Sequence, residues 1–188
     1  VFVAAMGRLF SNNPDRGVFR TTDGGATWEK VLYLNDSTGA IDVVIHPSNP
    51  DIIYAAMWER VRTPDRRTYG GPGSGVFRST DGGETWTRIG GGLPAPSAYV
   101  GRIGLDISYS DPAVLYAIYA DNVGYFDGVY RTANGGDSWT RMGLEATERI
   151  ARIQVDPERR DTVYVCATGA LWNASSERGV FKTTDGGK

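Results

Sequence analysis

The sequence predicts an all-β chain, a partial β-propeller of four-stranded antiparallel blades about three repeat periods long. Three observations carry that prediction. The segment GVFRTTDGGATW at Gly17–Trp28 returns as GVFRSTDGGETW at Gly75–Trp86 and as GVYRTANGGDSW at Gly128–Trp139, and GVFKTTDGGK begins at Gly179. These starts lie 58, 53 and 51 residues apart, the spacing of propeller blades rather than of shorter solenoid repeats. Each period offers four short strand candidates, and no segment of useful length carries helical periodicity.

The first strand of each period is Ile41/Val43/Ile45, matched by Ile103/Leu105/Ile107 and Ala151/Ile153/Val155, apolar at every second position. The second is the run around Tyr54, Tyr116 or Tyr164, apolar nearly throughout, as suits a strand covered on both faces. The third is GVFR and its copies. The fourth starts at the Trp and continues through Lys30–Leu32, Arg88–Ile89 or Arg141–Met142. The opening VFVAAM matches the IYAAM around Tyr54 and reads as the tail of an earlier repeat. The expected blade periods are about 1–40, 41–102, 103–149 and 150–188, in a single partial propeller that is a piece of a larger one, because about three periods cannot close a ring.

Composition narrows the classes. With 25 Gly and nine Pro among 188 residues, the chain is punctuated for many tight turns. A formal charge of −2 gives no reason to expect nucleic acid, and no apolar run is long enough for a membrane-spanning helix. Cys166 stands alone, so no internal disulfide is expected. His46, the single His, sits at a strand end, which supports neither a His-based triad nor a metal site, and no cofactor is expected. VFVAAM lacks the basic flank of a signal peptide. Asn35 and Asn173 open glycosylation-type triplets, a pattern common by chance.

The repeated octet reads T-x-D-x-G-x-T-W from Thr21 to Trp28 and S-x-D-x-G-x-T-W from Ser79 to Trp86. It resembles the Asp-box of bacterial neuraminidase repeats, found in sialidases, xyloglucan-hydrolysing enzymes, sortilin-type receptor propellers and a photosystem assembly factor. The third copy departs from the pattern with Asn134 and Ser138. Asp and Asn side chains lock such turns by accepting backbone N–H bonds, the Gly pairs allow positive φ, and the Trp covers the hairpin. Asp23, Trp28, Asp81, Trp86, Asn134, Trp139 and Asp185 are therefore read as structural. Identical carboxylates spaced around a ring cannot converge on one substrate.

Function is expected on the opposite face. The links between first and second strands are short and uniform (His46–Asp51, Ser108–Ala113, Asp156–Asp161), and the Asp-boxes share their end of the blades. The other links vary: Trp58–Ser74, Asp121–Asp127 and Thr168–Arg178 between second and third strands, and Leu34–Ala40, Gly90–Arg102 and Gly143–Ile150 between blades. Variable loops on a rigid scaffold are the usual seat of binding. They carry the ligand-binding candidates Trp58, Arg60, Arg62, Tyr69, Tyr99, Tyr125, Phe126 and Trp172, together with Arg66 and Arg67. Glu59, Asp65, Asp121 and Asp127 are the carboxylates there that could serve acid–base catalysis.

The resemblance implies a glycan or protein ligand on this face, remaining blades from the same protein or an assembly partner, and an extracellular or periplasmic location. It implies as alternatives a glycoside hydrolase of xyloglucanase type or a structural repeat array. The likeness to sialidases stops at the Asp-boxes, since no FRIP-type arginine motif precedes the first of them.

Overall fold

A computed structural model describes residues 1–66 and 69–188; Arg67, one of the residues placed on the variable face, lies outside them. Fourteen strands form four antiparallel sheets. The first holds β1 (Phe2–Ala5), β2 (Gly17–Arg20) and β3 (Glu29–Leu32). The second is the meander β4 (Thr38–Ile45), β5 (Ile53–Glu59), β6 (Gly75–Ser79) and β7 (Thr87–Ile89). The third repeats it with β8 (Val100–Ile107), β9 (Leu115–Asp121), β10 (Phe126–Thr132) and β11 (Thr140–Met142). The fourth holds β12 (Ile150–Val155), β13 (Val163–Ala167) and β14 (Gly179–Thr183). These sheets are propeller blades, and the partial ring is all-β. Among the described residues no helix is long and apolar enough to cross a membrane.

The core lies between blades, which is why the second strand of each is apolar on both sides. Ala55 and Met57 of β5 face Val18 and Leu32 of the first blade, while Tyr54 and Ala56 join Ile103, Leu105 and Tyr119 of the third. In β9 the alternation recurs: Leu115, Ala117 and Tyr119 face the second blade, and Tyr116 and Ile118 meet Ile153, Val155 and Val163 of the fourth. A period of two thus divides one strand between two cores.

Each first strand is less regular than its alternation suggests. Pairing with the second strand slips between Ala40 and Asp42, between Val100 and Ile103, and between Ile150 and Arg152. Such bulges re-aim side chains. Beyond them, carboxylates serve the next blade: Asp42 Oδ2 accepts from Leu105 N at 2.9 Å, and Asp106 Oδ2 accepts from Val155 N at 2.6 Å. Burial raises the Asp106 pKa, opposed by the N–H donors of Val155 and Ile107.

The Asp-box turns close by one hydrogen-bond pattern. In the second, Asp81 Oδ1 accepts from Thr85 N at 2.9 Å and from Ser79 Oγ at 2.8 Å, while Ser79 Oγ accepts from Gly83 N at 2.8 Å. Gly82 and Gly83 take φ of +71° and +94°, the left-handed region where a Cβ is strained. Asn134 reproduces the pattern, accepting from Ser138 N at 3.0 Å and donating from Nδ2 to Ser138 Oγ at 2.9 Å. Trp86 and Trp139 donate Nε1–H back to Gly83 O and Gly136 O at 3.0 and 3.1 Å. That bond keeps the Trp in the turn, so the fourth strand starts one residue after it, at Thr87 or Thr140.

An arginine staple joins the second and third turns to the preceding blade. Arg20 Nη1 donates to Gly82 O at 2.9 Å, and Arg78 Nη1 donates to Gly135 O at 2.8 Å beside Tyr54 Oη at 2.9 Å from the same oxygen.

Donors from Thr85 and Ser79 pull the Asp81 pKa down to about 2, and Asp23 and Asp185 are lowered by their own turns. A carboxylate depressed in the fold stabilises it fully above the unfolded value of about 3.9 and loses that contribution as pH falls through the folded value. The thermal midpoint is therefore expected to fall between about pH 4 and about pH 2. Asp81→Asn, which copies Asn134, should flatten part of that slope; an unchanged profile would sink the assignment.

Candidate ligand face

The links sort to two ends of the blades. At one end, Asp-box glycines donate to the turns between first and second strands: Gly82 N to Asp51 O, Gly135 N to Ala113 O and Gly186 N to Asp161 O, at 2.9–3.0 Å. At the other, variable links bond one another. Arg60 N donates to Ser37 O at 2.9 Å, Gly71 N to Val100 O at 3.1 Å, Tyr69 N to Asn122 O at 2.6 Å and Phe126 N to Glu148 O at 2.7 Å.

The long link after β5 folds back on its own strand end. Trp58 is buried, its Nε1–H donating to Tyr69 O at 2.8 Å, and the Arg60 guanidinium carbon lies 4.4 Å from the Trp58 ring centroid and 5.2 Å from that of Tyr69. Tyr69 Oη donates to Arg66 O at 2.8 Å. Glu59 Oε2 accepts from Gly73 N at 2.9 Å, so this carboxylate braces the Gly-rich turn. Asp65 is exposed, its pKa lowered by the Thr63 hydroxyl. Arg62 reaches back over the Phe10 ring at 5.7 Å.

Tyr99, Asp121 and Asp127 converge one blade further on. A cleft of about 340 Å³ is lined by Pro94, Tyr99, Tyr119, Asp121 and Asp127. Tyr99 is 74% exposed at its mouth. Asp121 ends β9, and its Oδ1 accepts from Val123 N and Tyr125 N at 2.9 and 2.8 Å, which shapes the turn. Asp127 is the residue skipped in pairing between Phe126 and Gly128, so a bulge turns it toward the cleft, 3.5 Å from the Tyr130 hydroxyl. Tyr125 lies under the Arg149 guanidinium at 4.5 Å, whereas Phe126 packs on the core between the third and fourth blades. The cleft therefore joins Tyr99, Asp121 and Asp127, while Glu59, Asp65 and Trp172 stand on other links.

Trp172, 91% exposed, has an equivalent that the Asp-box pattern does not mark. MGRLFSNNPDRGVF and TGALWNASSERGVF place Gly7 with Gly169, Leu9 with Leu171, Phe10 with Trp172 and Arg16 with Arg178. In both loops the Arg before GVF gathers loop carbonyls: Arg16 Nη2 donates to Arg8 O at 2.6 Å, and Arg178 Nη2 donates to Asn173 O at 3.0 Å and to Ala170 O. Each carries an open aromatic, and Phe10 is 70% exposed although a complete blade follows it.

A groove of about 540 Å³ runs along the first strands, lined by Asp42, Arg102, Asp106 and Arg152. Another cavity of about 460 Å³, beside Met142, Phe181 and Gly187, adjoins the core of the third and fourth blades. Among the described residues no group of three or more His, Cys, Asp and Glu could hold a metal ion.

This chain is an array of Asp-box repeats folded as β-propeller blades. The BNR/Asp-box repeat family model matches residues 19–30 and 77–88. The chain is 26% identical to a xyloglucanase of Paenibacillus sp over 95% of its own length, and 26% identical to a xyloglucanase of Acetivibrio thermocellus over 91%. It spans 18% and 22% of those relatives, about a fifth of each. Among solved structures, the GH74 enzyme of Niastella koreensis superposes with a TM-score of 0.63 at 26% identity, over 91% of this chain and 25% of that one.

Proposed function

We propose that this propeller segment binds a glycan through its variable-loop face, with the cleft under Tyr99 as the contact site. The observation that carries the reading is one cleft presenting an open aromatic ring beside two carboxylates. An exposed ring offers an apolar face to a sugar, and the carboxylates accept hydrogen bonds from its hydroxyls. The relatives named xyloglucanases support a β-glucan as the first ligand to try. A polysaccharide of that size places the protein outside the cell or in the periplasm, with further blades of the same protein or of a partner extending the surface.

A second reading is hydrolysis, favoured by Asp121 and Asp127 lining the same cleft. In that chemistry one carboxyl protonates the leaving oxygen while the other acts as base or nucleophile. The test is calorimetric titration with xyloglucan oligosaccharides alongside an assay for reducing ends. Tyr99→Ala is expected to weaken binding about tenfold or more, the loss of roughly one aromatic contact. Loss of reducing-end release in Asp127→Asn with binding retained would establish the hydrolase. Absence of binding to any glycan by the folded protein would shift the reading to a protein ligand or a structural array.

A further inference from the structure

We infer that Tyr119 and Asp127 form a donor–acceptor pair in the cleft under Tyr99, one that reads a single hydroxyl group of a neutral sugar and turns uronic acids away. The inference deepens the glycan reading and rests on it.

Among the described residues four tyrosines are buried: Tyr54, Tyr116, Tyr119 and Tyr130. Tyr54 Oη donates to Gly135 O at 2.9 Å, Tyr116 Oη accepts from Arg131 Nε at 3.1 Å, and Tyr130 turns its hydroxyl to Asp127 Oδ2 at 3.5 Å. The Tyr119 hydroxyl bonds to no described residue, although Tyr119 is only 3% exposed. A buried phenol ordinarily finds a partner. The Tyr119 side chain faces the second blade beside Val100 and Ile103, and it lines the cleft together with Tyr99, Asp121 and Asp127. The cleft is therefore where that hydroxyl meets its partner.

The repeat shows that the blade does not require this hydroxyl. Three residues beyond Tyr54, Tyr116 and Tyr164 stand Met57, Tyr119 and Ala167, so the other two blades put an apolar side chain in its place. Asp127 is equally particular to the third blade, since the residue before each GV pair is Arg16, Ser74, Asp127 or Arg178. Tyr130 links the two groups. Its ring meets that of Tyr119 edge to face at 5.3 Å between centroids, and its hydroxyl makes the one long contact of the Asp127 carboxylate among the described residues.

Burial raises the Tyr119 pKa, with Tyr130 and Asp127 adding to it and Arg88 opposing, so the phenol keeps its proton and donates. A sugar hydroxyl both accepts and donates, which matches one phenol and one carboxylate. A ligand carboxylate would instead meet Asp121 and Asp127 in the same cleft, and like charges brought together are costly.

The experiment titrates a neutral xyloglucan oligosaccharide, and oligogalacturonate of similar length, into the parent protein, Tyr119→Phe, Asp127→Ala and the double variant. Tyr119→Phe is expected to weaken the neutral ligand about tenfold with an unchanged thermal midpoint, because it removes only an oxygen that bonds to nothing in the fold. Asp127→Ala should cost about as much, and the double variant little more than either, because both groups serve one hydroxyl. Oligogalacturonate should bind the parent at least about tenfold more weakly than the neutral ligand, and Asp127→Asn should narrow that gap. A lower midpoint in Tyr119→Phe, additive losses in the double variant, or equal affinity for the two glycans would overturn the inference. Neutral binding lost in Tyr99→Ala but kept in Tyr119→Phe would overturn it and leave the glycan reading standing. Binding of neither glycan by the folded parent would overturn both.

Discussion

Replacing Trp139 with Ala is expected to cost about 3–5 kcal/mol, while the same change at Trp28 costs far less. All three complete octets end in Trp, and each indole donates to a glycine carbonyl of its own turn. The turn bond is therefore common to the three, and the difference lies in what the ring covers. Trp139 is 6% exposed within the core that joins Tyr54, Ile103 and Leu105, with Ile89 packed alongside, whereas Trp28 is 45% exposed. Removing a buried indole forfeits its burial and leaves a cavity between rigid sheets that cannot close over it. Trp86, partly buried against the core of the first two blades, should fall between them. Urea unfolding of the three Ala variants checks the order. Equal midpoints would mean that the indole acts through its turn bond alone.

The repeat made the fold legible, because one motif standing in four copies marks the same turn in every blade, and the both-sides apolar run of β5 and β9 identifies strands sandwiched between two cores. What escaped depended on contacts that no single repeat displays. The bulges at Ile41, Arg102 and Ala151 follow from how the first strand meets its neighbour, and period-two alternation passes straight over them. Asp42 and Asp106 look like interruptions of an apolar strand; they are acceptors for donors on the next blade, 63 and 49 residues away. The division of links into uniform and variable was visible from length alone, and it brought Tyr99, Asp121 and Asp127 to one cleft. It could not show that Trp58 lies buried beneath Arg60. Phe10 and Arg16 were hidden because they precede the first octet. The signal that finds them is the alignment of their loop with Gly169–Arg178, anchored on GVF.

Arg16 carries the second large effect, and its origin is unlike that of a core Trp. The side chain is fully buried, with Nη2 donating to Arg8 O at 2.6 Å and Ser11 O at 3.3 Å, and Nη1 to Ser37 O at 3.4 Å. Asn13 shares two of those acceptors, donating to Arg8 O and Ser11 O at 3.0 and 2.9 Å. The loop thus folds around a guanidinium much as a core folds around an apolar side chain. Burial lowers the Arg16 pKa, with Asp36 opposing, yet among the described residues no carboxylate bonds to it; carbonyl oxygens carry the compensation. Arg16→Met keeps much of the volume and removes every donor. Arg8 O and Ser11 O keep the Asn13 amide and Ser37 O keeps Arg60 N, so the expected cost is that of the charged hydrogen bonds lost, about 1.5–3 kcal/mol each. The loop should respond first, as new proteolytic cleavage between Arg8 and Asp15 at temperatures where the blades remain folded. Arg16→Lys should rescue only part of the loss, because a single ammonium cannot reach oxygens on opposite sides of the loop. Arg178→Met, on a more exposed copy of the loop, should show the same cleavage with a smaller change in stability. An Arg16→Met protein that melts and resists protease like the parent would show that the loop is held by its glycine turn and Asn13, and that Phe10 owes its exposed position to them.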